Sequence, residues 1–147
     1  MKKIKFPELK VKVTATKGEE FYIRDSEDVV KVLRNIFNAD TLQWTEEFII
    51  VCLSRAHKVI GYCKVSMGGF SGTVCDPKVI MTIALQSSAS ALIIAHNHPS
   101  GRLTPSESDE VMTDKINSAC KILDITLLDH IILTADGHYS FNAHDRI

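Results

Sequence analysis

The sequence predicts an α/β domain built on a mixed β-sheet, with helices on both faces. Three observations lead there. The runs FIIVCL (residues 48–53) and ALIIA (residues 91–95) are too continuously apolar for half-exposed strands and read as strands buried on both faces. Capped segments with apolar residues at helical spacing alternate with them. Short turns between some neighbouring strands imply hairpins, so the sheet is not purely parallel. At 147 residues the chain has the size of one domain, taken as residues 1–147, and its core needs neither disulfide nor metal to hold together.

Each element has its own signal. KVKVTAT at residues 10–16 alternates polar and apolar and predicts a half-exposed edge strand, making residues 1–25 an N-terminal strand extension. Asp25 and Ser26 offer an N-cap to a short helix whose Val29, Val30, Leu33, Ile36 and Phe37 share one face, with residues 38–41 as its stop. Trp44 and Phe48 read as core. Residues 58–66 form a second strand, paired with the first in a hairpin, and residues 68–72 are a glycine-rich loop. Asp76-Pro77 opens a helix to about residue 88, with Val79, Ile80, Ile83 and Ala84 inward. Thr104 reads as the N-cap of the last long helix, with Pro105 in its first position and Glu107 completing a capping box. Met112, Ile116, Ala119 and Leu123 continue its apolar face. Strands at 126–134 and 138–141 close the chain around Asp136-Gly137.

Composition narrows the function. Seventeen Lys and Arg against eighteen Asp and Glu leave a formal net charge of −1, without the basic excess by which nucleic-acid binders neutralise phosphates. The lysines at positions 2, 3, 5, 10, 12 and 17 are concentrated near the start and read as a solvated edge. No apolar run has the length of a signal peptide or a spanning helix. Cys52, Cys63, Cys75 and Cys120 include no C-x-x-C pair and sit among apolar residues, which suggests reduced, mostly buried thiols in a cytoplasmic protein.

The chemistry is concentrated in residues 95–109, AHNHPSGRLTPSESD. His96 and His98 are two apart at a strand end, so extended backbone points both imidazoles one way and Asn97 the other. Two convergent histidines are half of a zinc site. Pro99 and Gly101 turn the chain into a loop that reaches a helix start, where Ser106 and Asp109 lie on one face. Asp109 brought back to His96 and His98 completes three protein ligands and leaves a fourth position open, the mark of a catalytic zinc. Deprotonating a water there needs a base, and Glu46 and Glu47 stand just before the buried strand. Ser106 can donate to an oxyanion. H-x-H, S-x-x-D and a strand-entrance glutamate each arise by chance or as capping; their combination in the order strand, loop and helix is what points to a site.

His96, His98, Ser106 and Asp109 resemble the JAMM motif of the JAB/MPN metalloproteins. HNHPSG, TPSESD, LDHIIL and YSF together resemble its bacterial RadC-like branch, from about residue 26 to 141. The resemblance implies a three-layer α/β/α fold similar to the cytidine-deaminase type. It also implies zinc on His96, His98 and Asp109, with Ser106 assisting and Glu46 as the base, since the family's glutamate stands two residues before the strand aromatic, here Phe48. Glu47 is the alternative, and choosing it flips the face. Asn97 stands where eukaryotic members carry Ser or Thr, in keeping with the bacterial branch. Longer RadC-like proteins carry an N-terminal helix-hairpin-helix region for which this chain has no room, so a stand-alone domain is expected.

Look-alikes fail on their own terms. HNH is here one contiguous tripeptide, unlike the dispersed residues of HNH nucleases. Ser100 and Gly101 replace the last two places of a metallo-β-lactamase H-x-H-x-D-H, and the P-C-x-x-C of zinc deaminases is missing. His130 in LDHIIL reads as a satisfied core histidine, with a place beside the metal ligands as the alternative. The expected function is a zinc-dependent metallopeptidase or isopeptidase with a protein or peptide substrate. The rivals are a DNA-binding repair accessory and a metal-bound scaffold without turnover; an edge strand at residues 10–16 would also permit a homo-oligomer.

Overall fold

The computed structural model describes residues 6–10, 12–68 and 75–147. Its elements in chain order are α1 (Ser26–Ile36), β1 (Glu47–Leu53), β2 (Val59–Met67), α2 (Pro77–Gln86), β3 (Ala91–Asn97), α3 (Glu107–Ile122), β4 (Thr126–Leu133), β5 (His138–Ser140) and a short 3-10 turn, Asn142–His144. The five strands form one sheet in the order β2-β1-β3-β4-β5. β1 runs antiparallel to both β2 and β3, β3 runs parallel to β4, and β4 antiparallel to β5. The sheet is therefore mixed, as expected. The one parallel pair is the one joined through a helix, α3, because a parallel connection must cross the sheet from end to end.

Side-chain alternation splits the core into two layers. Ile49, Val51, Leu53, Ile93 and Ile131 pack against Val29, Leu33 and Phe37 of α1 and its C-cap. Phe48, Ile50, Leu92 and Ile94 pack on the other face against Ile80 and Ala84 of α2 and Ile116 and Cys120 of α3. Every residue of β1 and β3 is buried, which is why both read as unbroken apolar runs. Asp25 caps α1 by accepting from the Asp28 amide, and Asp76 caps α2 with Pro77 in its first turn. The four cysteines are free thiols, three of them buried.

Several expectations are corrected. Residues 12–20 form no strand: they are exposed, and the segment meets the sheet where Glu20 pairs with Lys58, Tyr22 bridges Lys58 and Val59 donates to the Phe21 carbonyl. Alternation alone makes no strand without a neighbour to accept its hydrogen bonds. Residue 11 and most of the glycine-rich loop, residues 69–74, lie outside the described residues. Trp44 is not core but 63% exposed, because it ends the turn in which its amide bonds the Thr41 carbonyl. Val79 faces outward on α2, with Ile80 taking the buried position. α3 begins at Glu107 rather than near Pro105, and its cap is Ser106.

Asn97 fastens the sheet to the segment before β1. Its side chain is 1% exposed; Oδ1 accepts from the Glu47 amide at 2.7 Å, and Nδ2 donates to the carbonyls of Leu42 and Thr45 at 2.7 and 2.8 Å. The carboxamide thus satisfies three backbone groups that have little access to water. Asn97→Ala is expected to destabilise the protein by roughly 2–4 kcal/mol in urea unfolding, with faster hydrogen exchange at the Glu47 amide. A change under about 0.5 kcal/mol, the size of an ordinary surface substitution, would show that the segment holds without this pin.

Candidate metal centre

β3 ends at Asn97, and its last residues carry the alternation forward. Phe48 of β1 stands opposite His96 in the ladder, and their rings are stacked with planes 2° apart and centroids 5.8 Å apart. His98 continues on the same side, its Nε2 lying 3.0 Å from that of His96. After it, Gly101 takes φ +81°, a conformation other residues adopt only with strain, and its amide bonds the His98 carbonyl. The turn brings the Arg102 carbonyl back to within 2.7 Å of His98 Nδ1.

Asp109 arrives from α3. Ser106 Oγ accepts from the Asp109 amide at 3.1 Å, and Asp109 Oδ2 accepts from the Ser106 amide at 2.7 Å, closing a capping box. The same carboxylate lies 3.2 Å from His96 Nε2 through Oδ1 and 3.4 Å from His98 Nε2 through Oδ2. TPSE and SESD both fit the capping pattern. SESD is used because its acid also meets the two histidines, a tertiary contact that propensity cannot see. His96, His98 and Asp109 each contribute one ligand atom, and these atoms all lie within 4.8 Å of one another.

The hydrogen bonds determine where the imidazole protons sit. Thr113, one turn along α3 from Asp109, donates its hydroxyl proton to the Asp109 carbonyl at 2.7 Å, since a carbonyl can only accept. Thr113 Oγ1 therefore accepts from His130 Nδ1–H, at 2.6 Å. His130 is fully buried on β4, and burial, with the neighbouring charge of His96, holds its basicity well below the ordinary histidine value, so it is neutral. Its Nε2 is then a lone pair and accepts from His96 Nδ1–H at 2.8 Å. His98 Nδ1 donates to the Arg102 carbonyl in the same way. The two Nε2 atoms and the Asp109 carboxylate lie 3.0 to 3.4 Å apart; when neither imidazole carries a proton on Nε2, three acceptors face one another, and either a proton or a cation removes the repulsion.

A proton on the imidazoles meets the need for an occupant, and the basicities reflect it. The hydrogen bond and charge of Asp109, with a weaker contribution from Glu46, raise the pKa of His98 against the opposing effect of burial. Burial opposes ionisation of Asp109, yet the hydrogen bonds and charges of His96 and His98 outweigh it and hold its carboxyl far below the usual range.

Glu46 and Glu47 separate as alternation requires. Glu47 is buried on the α1 side with Ile49, and Lys64 Nζ lies 2.9 Å from its Oε2 as an ion pair without hydrogen-bond geometry. Glu46 precedes Phe48 by two residues, just outside β1, and its charge is felt weakly at His98. Its carbonyl accepts from the Gly68 amide at 2.8 Å. Ser106 Oγ also pairs with Ser108 Oγ at 2.9 Å. Thr113 was missed in the sequence; the signal for it is a hydroxyl four residues after Asp109, on the buried side of α3. His130 is both a satisfied core residue and a partner of His96. Phe141 stacks on it with planes 9° apart.

A family model described as the RadC-like JAB domain matches residues 23–146. The chain belongs to the RadC-like JAB domain family. A UPF0758 protein of Flavobacterium johnsoniae is 44% identical over 96 residues, covering 65% of this chain and 42% of that protein. A UPF0758 protein of Coprothermobacter proteolyticus is 36% identical over 123 residues, covering 83% of this chain and 52% of that protein. The chain thus spans about half the length of the curated relatives it matches, and their names state no activity. Family membership and the His96–His98–Asp109 group together give this RadC-like JAB domain a JAMM-type group that could hold a metal ion. No helix among the described residues is long and apolar enough to cross a membrane.

The two shifted groups predict how stability follows pH. His98 has a raised pKa when folded, so its contribution is complete below its ordinary value of 6.5 and is lost as pH rises through the folded value. Asp109 has a lowered one, so its contribution is complete above 3.8 and is lost as pH falls toward the folded value. The metal-free domain should therefore draw most stability from this pair between about pH 4 and 6.5. Added zinc should raise the melting temperature most above that window, where the proton is gone. Calorimetry from pH 5 to 8.5 checks this, and a zinc-induced increase that shrinks with rising pH would contradict it.

Proposed function

We propose that this RadC-like JAB domain is a cytoplasmic zinc-dependent hydrolase that cleaves peptide or isopeptide bonds. The observation that carries the reading is the convergence of two imidazole Nε2 atoms and one carboxylate within 3.0 to 3.4 Å of one another. Two nitrogens and one oxygen match the donor set of catalytic zinc sites, which leave one position for water or substrate. Zinc, when bound, supplies a Lewis acid that makes a water acidic enough to lose a proton near neutral pH.

The chain's own residues supply the rest. His96, His98 and Asp109 hold the ion, and the capping box and the stacked Phe48 keep two of them from turning away. Glu46, which directly precedes β1 and whose charge acts on His98, takes the proton from the attacking water and returns it to the leaving amine nitrogen. Glu47 is unsuited to this, being buried on the opposite face against Lys64. Ser106 Oγ accepts from the Asp109 amide and pairs with Ser108; with Ser108 as donor in that pair, the Ser106 proton is left for the oxyanion developing at the substrate carbonyl.

The test pairs metal content with cleavage of a proteome-derived peptide library. Wild type is expected to hold about one zinc per chain and His96→Ala far less. Glu46→Gln is expected to keep the metal and lose cleavage by at least about 100-fold, the usual contribution of a general base. Negligible zinc in wild type and His96→Ala alike would sink the metal site. Retained cleavage in Glu46→Gln would remove Glu46 as the base, and zinc without any wild-type cleavage would favour a metal-bound scaffold.

A further inference from the structure

We infer that Thr113 and His130 are positioning residues that set which nitrogen of His96 carries its proton, and through it the affinity of the site for metal. The inference rests on the metal reading above and extends it to two side chains that belong to no ligand set. His96 has one nitrogen in the group with Asp109 and His98, and the other against His130. Only the tautomer protonated on Nδ1 offers a lone pair to a cation. An isolated imidazole has no strong reason to choose that form, so the choice comes from its neighbour.

The neighbour is locked from behind. His130 is fully buried between Phe141, stacked at 4.6 Å between centroids, and His96 at 4.9 Å. Its two nitrogens each meet a single partner, Thr113 Oγ1 and His96 Nδ1. The Thr113 hydroxyl has one proton, committed to the Asp109 carbonyl. The direction then propagates without a free choice: carbonyl, hydroxyl, His130 Nδ1–H, His130 Nε2 and His96 Nδ1–H, which leaves Nε2 as the nitrogen of the neutral ring that can offer a lone pair to the ligand group. The starting carbonyl belongs to Asp109, so the residue that supplies the oxygen ligand also orients the nitrogen ligand through its backbone.

Removing the hydroxyl reverses the chain. With valine at 113, His130 Nδ1–H would face a methyl group, a buried donor with no acceptor. Moving the His130 proton to Nε2 relieves this. His96 Nδ1 must then accept, and its own proton moves to Nε2, pointing into the ligand group. The Asp109 carbonyl loses little, because it lies within α3 and keeps its helical partner.

The experiment measures the imidazole nitrogens directly. In 15N-labelled, metal-free protein, long-range proton–nitrogen spectra are expected to show His96 protonated on Nδ1 and bare at Nε2 in wild type and Thr113→Ser, and the reverse in Thr113→Val. Zinc titration against a chromophoric chelator should show affinity lowered about 10- to 100-fold in Thr113→Val and largely restored in Thr113→Ser. Wild type with its His96 proton on Nε2 would overturn the inference without any variant, as would a folded Thr113→Val with unchanged tautomer and zinc affinity within twofold of wild type. Absence of zinc binding by wild type would overturn the metal reading instead, and the metal-free spectra would still decide the relay.

Discussion

At the end of β3 the backbone is extended, and extended backbone sends successive side chains to opposite faces of the sheet. His96, Asn97 and His98 occupy that end, and each consequence at the site follows from their alternation. The histidines go to the side covered by α2 and α3, where Asp109 can reach them. Asn97 goes to the α1 side, where it holds the carbonyls of Leu42 and Thr45 and the Glu47 amide. That second contact fastens β1 at Glu47, directly after Glu46, through the residue between the two histidines. A slip of one residue would put Asn97 into the ligand group and both imidazoles into the α1 core.

Asp109 shows how the fold makes one side chain serve two ends. As a capping residue it satisfies the Ser106 amide at the start of α3. As a ligand it lies against two imidazoles. The cap restricts the carboxylate before any ion arrives, which is the preorganisation a metal site needs. The same restriction keeps three acceptors together, so the site favours an occupant between them, a proton at low pH or a cation above it. Such local frustration marks functional sites, while the surrounding core, closed on both faces of β1 and β3, bears the stability.

Much of this was legible from residue order. Alternating apolar runs and capped periodic segments identified β1, β3, α1 and α2, and the H-x-H and S-x-x-D spacing picked out the three clustered side chains. The misreadings have physical causes. Residues 12–16 of the expected edge strand have strand-like alternation but no ladder partner among the described residues, and they are exposed. Trp44 has the hydropathy of a core residue but sits at the end of a turn. The start of α3 was ambiguous between two capping patterns that propensity ranks alike. Thr113 gave only a weak signal, because a threonine in a helix commonly bonds the carbonyl four residues back without further meaning.

The sequence by itself determined the fold class, the identity of the three convergent side chains and the opposite orientation of Asn97, because these depend on periodicity and on spacing within one or two elements. Tertiary structure alone decided that Glu47 is buried beside Lys64, since that depends on the register of β1 against β2. It alone joined Asp109, Thr113, His130 and His96 into one chain of hydrogen bonds, because α3, β4 and β3 meet only when the parallel pair has closed. Local patterns specify which face a side chain takes within its own element. Which atoms then meet across elements, and so where each proton rests, is fixed by packing.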